Sequence, residues 1–210
     1  MGRVAFDKGA VTAPVPPVIV TVRDGERINA LTIGWTGILA TVPPKTYISV
    51  RPSRYSYEML KNSREFVINL ATADMARAVD YIGIYTGKKV DKLAKCNLSV
   101  TNSLHVGAPT IVECPVAIEC RVTDILPMGS HDVFVADVLG FTCDERIVDK
   151  DGGLRFDRAN LLAYSHGEYF SLGEKLGKFG FSTKPAPKLT EKKNAKPFYE
   201  SIAKKGGRRK

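Results

Sequence analysis

Apolar positions change their spacing several times along the chain, and each change marks an element. From Pro17 to Arg23 valine and isoleucine dominate, Asp24 and Gly25 give a turn signal, and Arg27 to Gly34 resumes an extended pattern, which predicts a β-hairpin. Gly34, Gly37 and Ala40 then leave the main chain bare. Tyr47 to Val50 predicts a short strand, Tyr55 to Asn62 a helix with Ser53 as a possible cap, and Glu65 to Leu70 another strand. Over Thr72 to Tyr85 the residues Met75, Val79 and Ile82 recur at spacings of four and three, as one face of a helix requires, with Asp74 near its positive end and Gly87 placed to close it.

Further along, the period drops to two. Val112, Cys114, Val116, Ile118, Cys120 and Val122 alternate with more polar neighbours, predicting one long half-buried strand from Ile111 to Thr123. Val133 to Phe141 is its expected partner across the Pro127 to Asp132 connection, and a polar excursion from Asp144 to Arg158 precedes a short strand at Leu161 to Tyr164. An aromatic, glycine-rich segment runs from Tyr169 to Phe181. Many strands joined by short turns, with two or three helices, predict a mostly β fold with α additions, an antiparallel, Greek-key-like barrel closed or partly closed.

Charge divides the chain. Residues 184–210 hold ten Lys or Arg against two Glu, so +8 of the net charge of +9 lies there and residues 1–183 are left at +1. The expected organisation is therefore a domain over 1–183 and a basic C-terminal tail over 184–210, whose Lys, Pro and Gly content buries too little apolar area to offset the entropy of ordering it. Such a tail suits a polyanion-binding module as the alternative reading, but it carries only Phe198 and Tyr199 for base stacking, which argues against nucleic acid. No apolar run is long enough to span a bilayer, and the N-terminus has no secretory pattern, so the cytoplasm is the expected location.

Cys96, Cys114, Cys120 and Cys143 include no Cys-x-x-Cys pair, and the three histidines, 105, 131 and 166, are too dispersed for a zinc site. With Cys114 and Cys120 expected in one strand, about 20 Å separates them and a bridge between them is excluded. No Gly-x-Gly-x-x-Gly, Gly-x-Ser-x-Gly or His-Glu-x-x-His motif occurs. Gly83 to Lys88 misses a phosphate-binding loop by one residue, and Lys89 stands where that loop needs a hydroxyl.

What remains is a cluster of polar and ring-bearing positions. Asn29, Thr32, Gly34, Trp35 and Thr36 leave the second strand, and Ser49 to Ser56 reads Ser-Val-Arg-Pro-Ser-Arg-Tyr-Ser. Arg51 and Arg54 offer forked donors, Ser53 and Ser56 offer hydroxyls, and a helix start nearby offers free amides, a combination suited to a phosphate. Bare main chain at Gly34 admits a flat ring. Composition alone leaves a plainer alternative open, with Asn29 in a turn, Trp35 in the core and both arginines on a solvated helix end.

The order of Asn29 to Trp35, Ser49 to Ser56 and Glu65 to Leu70, continued through Tyr85-Thr86-Gly87, Asp91-Lys92, Glu113-Cys114-Pro115, Met128 to His131, Tyr164, Tyr169 to Gly173 and Gly180 to Ser182, resembles that of the flavin reductase-like family of FMN-binding split barrels. Within it the order looks most like that of the flavoredoxins. The resemblance implies non-covalent FMN lined by Asn29, Thr32, Trp35 and Thr36, with Arg51, Arg54 and Ser56 on its phosphate side, Gly34, Ser53 and Thr86 among the other cofactor-binding positions, and Lys92 near the ring or ribityl chain, tuning the potential. It also implies His131 on the flavin or nicotinamide side and Tyr164 over the ring. Ser130 stands where the family often has an Asp beside that histidine. The function implied is electron transfer from NADH, NADPH or a redox-protein partner through FMN, in a homodimer, with no membrane and no nucleic acid involved.

Overall fold

In the computed structural model, which describes residues 2–183, the first run of valine and isoleucine becomes β1 (Val18–Asp24). It pairs antiparallel with β2 (Arg27–Ile33) through a turn at Gly25, whose φ of 59° is the left-handed conformation glycine adopts freely. The basic tail, residues 184–210, lies outside the described residues. The chain divides into two compact units, Met1–Glu174 and Lys175–Lys210, and the described part of the second carries one 3₁₀ turn, Phe181–Thr183.

The remaining strands of the main sheet are β3 (Thr36–Thr41), β4 (Pro44–Val50), β5 (Glu65–Leu70), β8 (Val116–Pro127) and β9 (Asp132–Cys143). The two-residue strands β6 (Val100–Thr101) and β7 (Thr110–Ile111) pair with each other, as do β10 (Leu162–Ser165) and β11 (Glu168–Ser171). Helices are few: α1 (Ser56–Ser63), α2 (Ala76–Ile84), which follows a 3₁₀ turn at Ala73–Met75, and α3 (Lys92–Lys95), with Asp91 Oδ1 accepting from the Ala94 amide at 3.0 Å.

The main sheet has the order β2-β1-β5-β8-β9-β4-β3, antiparallel throughout, so its two edges, β2 and β3, are consecutive in sequence. Only Gly34 and Trp35 lie between them. Three peptide steps reach at most about 11 Å, whereas the edges of seven flat strands would stand about 29 Å apart. The sheet must therefore curl until its edges meet, and because β2 and β3 form no ladder it is a split barrel with its seam at Gly34–Trp35.

Alternation fills the interior. Val18, Val20 and Val22 of β1, Leu31 and Ile33 of β2, Ile48 and Val50 of β4, Phe66 and Ile68 of β5, and Phe134 and Ala136 of β9 meet in one cluster, into which α1 inserts Tyr57, Met59 and Leu60. Each valine, leucine, isoleucine, methionine or phenylalanine so buried stabilises by roughly 1.5–3 kcal/mol. On the outer face Ile19 and Ala30 pack against Val79 and Ile82 of α2, so β1 is covered on both sides and shows no polar alternation.

Four expectations need correction. β3 runs through the stretch read as bare main chain, with Ile38 and Leu39 exposed. The long strand begins at Val116, because the chain turns back at Cys114, whose amide donates to Ile111 O at 3.3 Å; Val112 and Cys114 continued the apolar rhythm through that turn. The two thiols are thus not on one strand, although all four cysteines are free. Ser53 does not cap α1, whose N-cap is Tyr55 and carries no side-chain cap bond. Gly87 does not close α2 either, which ends at Ile84 with Tyr85 already extended.

Candidate functional site

The seam carries the site. Trp35 cannot enter the packed interior from a two-residue crossing, and its ring stays 45% exposed. The crossing is pinned to the barrel by Ser49 N donating to Trp35 O at 2.9 Å. On the other side of β4 the register Val50↔Asp132 brings the ends of β4 and β9 together, so Arg51 and His131, one step beyond that pair, meet. Arg51 Nε donates to His131 Nε2 at 3.3 Å, and Ser130 Oγ lies 3.0 Å from Nδ1. The imidazole leans on Trp35, the ring centroids 4.6 Å apart at 43°.

Beyond Arg51 the chain makes a tight turn, Arg54 N donating to Arg51 O at 3.0 Å, and enters α1. This turn puts both arginines between two cavities. The first, of about 330 Å³, is bounded by Thr32, Gly34, Trp35, His131 and Tyr164, with Asp80 and Gly83 of α2 opposite. The second, of about 370 Å³, is bounded by Asn29, Ser53, Ser56, Thr86, Gly87 and Lys92. Arg51 and Arg54 line both. Volumes of this size are ordinary for small-molecule and cofactor sites.

Three cations, the aliphatic hydroxyls of Ser53, Ser56 and Thr86, two tyrosines and no carboxylate line the second cavity. Two of the cations are set by the C-terminal end of α2, where carbonyls lack helical partners and the dipole is negative. Arg54 Nη1 donates to Gly83 O at 2.8 Å, and Lys92 Nζ to Ile82 O at 3.2 Å. Lys92 is only 4% exposed, and burial, followed by the charge of Arg54, brings its pKa down to about 8. One carbonyl does not satisfy an ammonium with three N–H groups. On the floor, Asn29 Nδ2 donates to the buried Ser56 Oγ at 2.5 Å, and a Cβ on Gly87 would fall 2.1 Å from Asn29 Oδ1. The stretch that only approaches a phosphate-loop pattern thus supplies Thr86 and Gly87 to a cavity rich in donors.

In the first cavity, burial and then the charges of Arg51 and Arg54 hold His131 below the usual imidazole pKa. Thr32 is oriented by donating to Val79 O at 2.5 Å. The Tyr164 ring lies 5.2 Å from that of Tyr169, whose hydroxyl donates to Asp80 Oδ1 at 3.2 Å; burial, then Asp80, pushes the Tyr169 phenol up to about 12.

Of the positions singled out in the sequence, the structure gathers Asn29, Thr32, Gly34, Trp35, Arg51, Ser53, Arg54, Ser56, Thr86, Lys92, His131 and Tyr164 around these two adjoining cavities. Thr36 is not among them. Its hydroxyl donates to Tyr47 O at 2.6 Å and it lines a hollow beside β4, because the strand that begins there turns it away. Lys92 borders the second cavity, among its hydroxyls, and does not line the Trp35 cleft. Asp80 was not singled out in the sequence, where it looks like any polar position on an amphipathic helix, and Tyr169 entered only as part of a motif without a place in the site. Among the described residues no group of His, Cys, Asp and Glu could hold a metal ion, and no helix is long and apolar enough to cross a membrane.

Comparison with known proteins matches residues 11–173 to the family model described as flavin reductase like domain. The flavoredoxin of Desulfovibrio vulgaris (Miyazaki F) superimposes with a TM-score of 0.82 at 26% identity, covering 87% of this chain and 100% of that one. An FMN-binding protein from Thermus thermophilus, solved with 1-cyclohex-2-enone bound, gives a TM-score of 0.70 at 25% identity over 84% of this chain and 99% of its own. A NADPH-flavin oxidoreductase of Streptomyces viridifaciens is 25% identical over 129 residues, 60% of this chain and 65% of that protein.

Proposed function

Because the chain belongs to the flavin reductase like domain family, we propose that it holds FMN without a covalent bond and moves electrons from NADH, NADPH or a redox protein through it. The observation that carries this reading is the pairing of the two cavities across Arg51 and Arg54. One is lined by donors and cations without a single carboxylate, the other by Trp35, His131 and Tyr164 beside bare main chain at Gly34. The residues fit the group. An underused ammonium at Lys92 and the hydroxyls of Ser53, Ser56 and Thr86 suit a phosphate, and the Trp35 cleft suits a flat ring.

When bound, the flavin supplies the hydride and electron chemistry. The protein's part is positional. Arg54 and Lys92 stand ready on the α2 carbonyls, so little ordering is left for the binding step. Trp35 and Tyr164 line the cleft that suits the ring. The names of the Desulfovibrio, Thermus and Streptomyces relatives support a flavin, FMN and NADPH respectively.

A homodimer in the cytoplasm belongs to the same proposal. Ile38 and Val42 of the β3–β4 hairpin, 82% and 91% exposed, support the first, and four free thiols the second. The visible spectrum of the purified protein is the test. Flavin absorbance, or its appearance after soaking in FMN, is expected; a preparation that stays colourless overturns the reading. Steady-state turnover with NADH or NADPH and free FMN then separates a reductase that releases reduced FMN from a carrier that retains it.

A further inference from the structure

Arg51 faces both cavities but has one side-chain hydrogen bond among the described residues, the one to His131 Nε2 at 3.3 Å. A guanidinium only donates. Nε2 must then present its lone pair, which puts the imidazole proton on Nδ1, towards Ser130 Oγ at 3.0 Å. In this arrangement His131 cannot take a second proton at Nε2 while Arg51 stays, since two N–H groups would face each other.

Other groups around the ring do not provide the same lock. Arg54 is committed to Gly83 O, and Asp132, next along the chain, accepts from the Tyr57 hydroxyl. Asp80 of α2 and Tyr164 and Tyr169 of the β10–β11 hairpin line the same cleft, with the Tyr169 hydroxyl turned to Asp80. Trp35 supplies a ring face. Lys92 is charged but borders only the second cavity.

We propose that Arg51 couples the two cavities: an anion in the hydroxyl-lined one draws away the guanidinium that holds His131 in the other, so that phosphate occupancy decides whether His131 takes up a proton. Two effects act in the same direction. A phosphate oxygen offers Arg51 a charged acceptor in place of a neutral nitrogen, and its negative charge cancels the field of Arg51 and Arg54 at the imidazole. Ser130 leaves this lever effective, because a neutral hydroxyl oxygen accepts from Nδ1 in either state without strongly favouring the charged one, whereas a carboxylate there would favour the imidazolium regardless. The inference rests on the reading of the second cavity as a phosphate site. It makes Arg51 a positioning residue for His131 as well as an anion ligand.

The test is a pH titration of the three histidines by the imidazole C–H resonances of the full-length protein, with His131→Gln assigning the signal. The states compared are free of flavin, with inorganic phosphate, with riboflavin and with FMN, with sodium chloride matching ionic strength. Phosphate and FMN are expected to raise the midpoint of His131 by about one unit, which by linkage means about tenfold tighter phosphate binding to the protonated form. Riboflavin, which lacks the phosphate, should not produce that rise, and His105 and His166 should stay still. Arg51→Gln should raise the ligand-free midpoint and abolish most of the phosphate response. A His131 midpoint unmoved by phosphate in the wild-type protein overturns the coupling, whether or not that variant folds. The two proposals fail differently. FMN uptake with an unmoved His131 sinks the coupling alone, and a phosphate response without any flavin uptake sinks the FMN reading alone.

Discussion

Lys92 shows how a residue can oppose the stability of the protein that uses it. An ordinary lysine titrates near 10.5, and here burial, helped by Arg54, lowers the value to about 8. Because the unfolded chain binds the proton more tightly, ligand-free stability should rise as pH climbs from about 8 towards 10.5, the window in which the unfolded state holds more protons. Lys92→Met should accordingly stabilise the flavin-free protein at neutral pH, by on the order of 1–3 kcal/mol, while weakening FMN by at least about tenfold. Urea denaturation in the presence and absence of FMN reads both effects, and a variant less stable without flavin would contradict the argument. Arg54→Ala should cost about 1.5–3 kcal/mol of FMN affinity, the worth of a hydrogen bond to a charged group, measured by fluorescence titration. Both cations were visible in the sequence as residues, and their neighbours as motifs. The contact that orients Lys92 was not, because the Ile82 carbonyl that accepts from it looks in sequence like the carbonyl of any helix end.

Elements were legible where packing demanded a simple period. Glu65–Leu70 and the first hairpin coincide with their expected positions because both faces or a tight turn fix them. β3 was missed because glycine and alanine dilute its pattern and its large side chains face solvent, while α3, at four residues, is too short for any helical period. The contact between the loop after α2 and the first residues of β2 left no trace in the pattern, yet it holds the floor of the donor-lined cavity. Gly87 lies so near Asn29 that a methyl group would collide with its amide oxygen, and this amide also donates to Ser56. Gly87→Ala should therefore push Asn29 from Ser56 and cost about 1–3 kcal/mol of stability through overpacking. FMN retention should fall with it, whereas Gly173→Ala, with nothing near it, should change neither. Thermal denaturation and flavin content after gel filtration measure the pair.

At the scale of the whole molecule, closure of the sheet does what no single motif does. Two residues of connection between opposite edges oblige seven strands to curl, and the crossing itself becomes the wall of a cleft. The sequence carried most of the sheet's strands and the Gly34–Trp35 step but not the pairing order, since which edge meets which depends on contacts up to about a hundred residues apart. Net charge, by contrast, was fully readable. It bears on how the site would attract an anion: residues 1–183 sum to only +1, so the local pull on a phosphate is expected from the three cations that line the cavity, Arg51, Arg54 and Lys92. Screening sharpens the distinction, because charges beyond about 8 Å in physiological salt contribute little to an equilibrium constant, though they still hasten encounter at low salt. Deleting residues 184–210 should thus leave the FMN dissociation constant within about twofold at 150 mM salt. Below about 20 mM it should slow association, the ionic strength being the only variable that exposes the loss. Stopped-flow quenching of FMN fluorescence at both salt concentrations separates the two constants. A deletion that removes bound flavin at physiological salt would instead mean that the last 27 residues help to hold the cofactor, and the three-cation cavity would no longer suffice as the anion site.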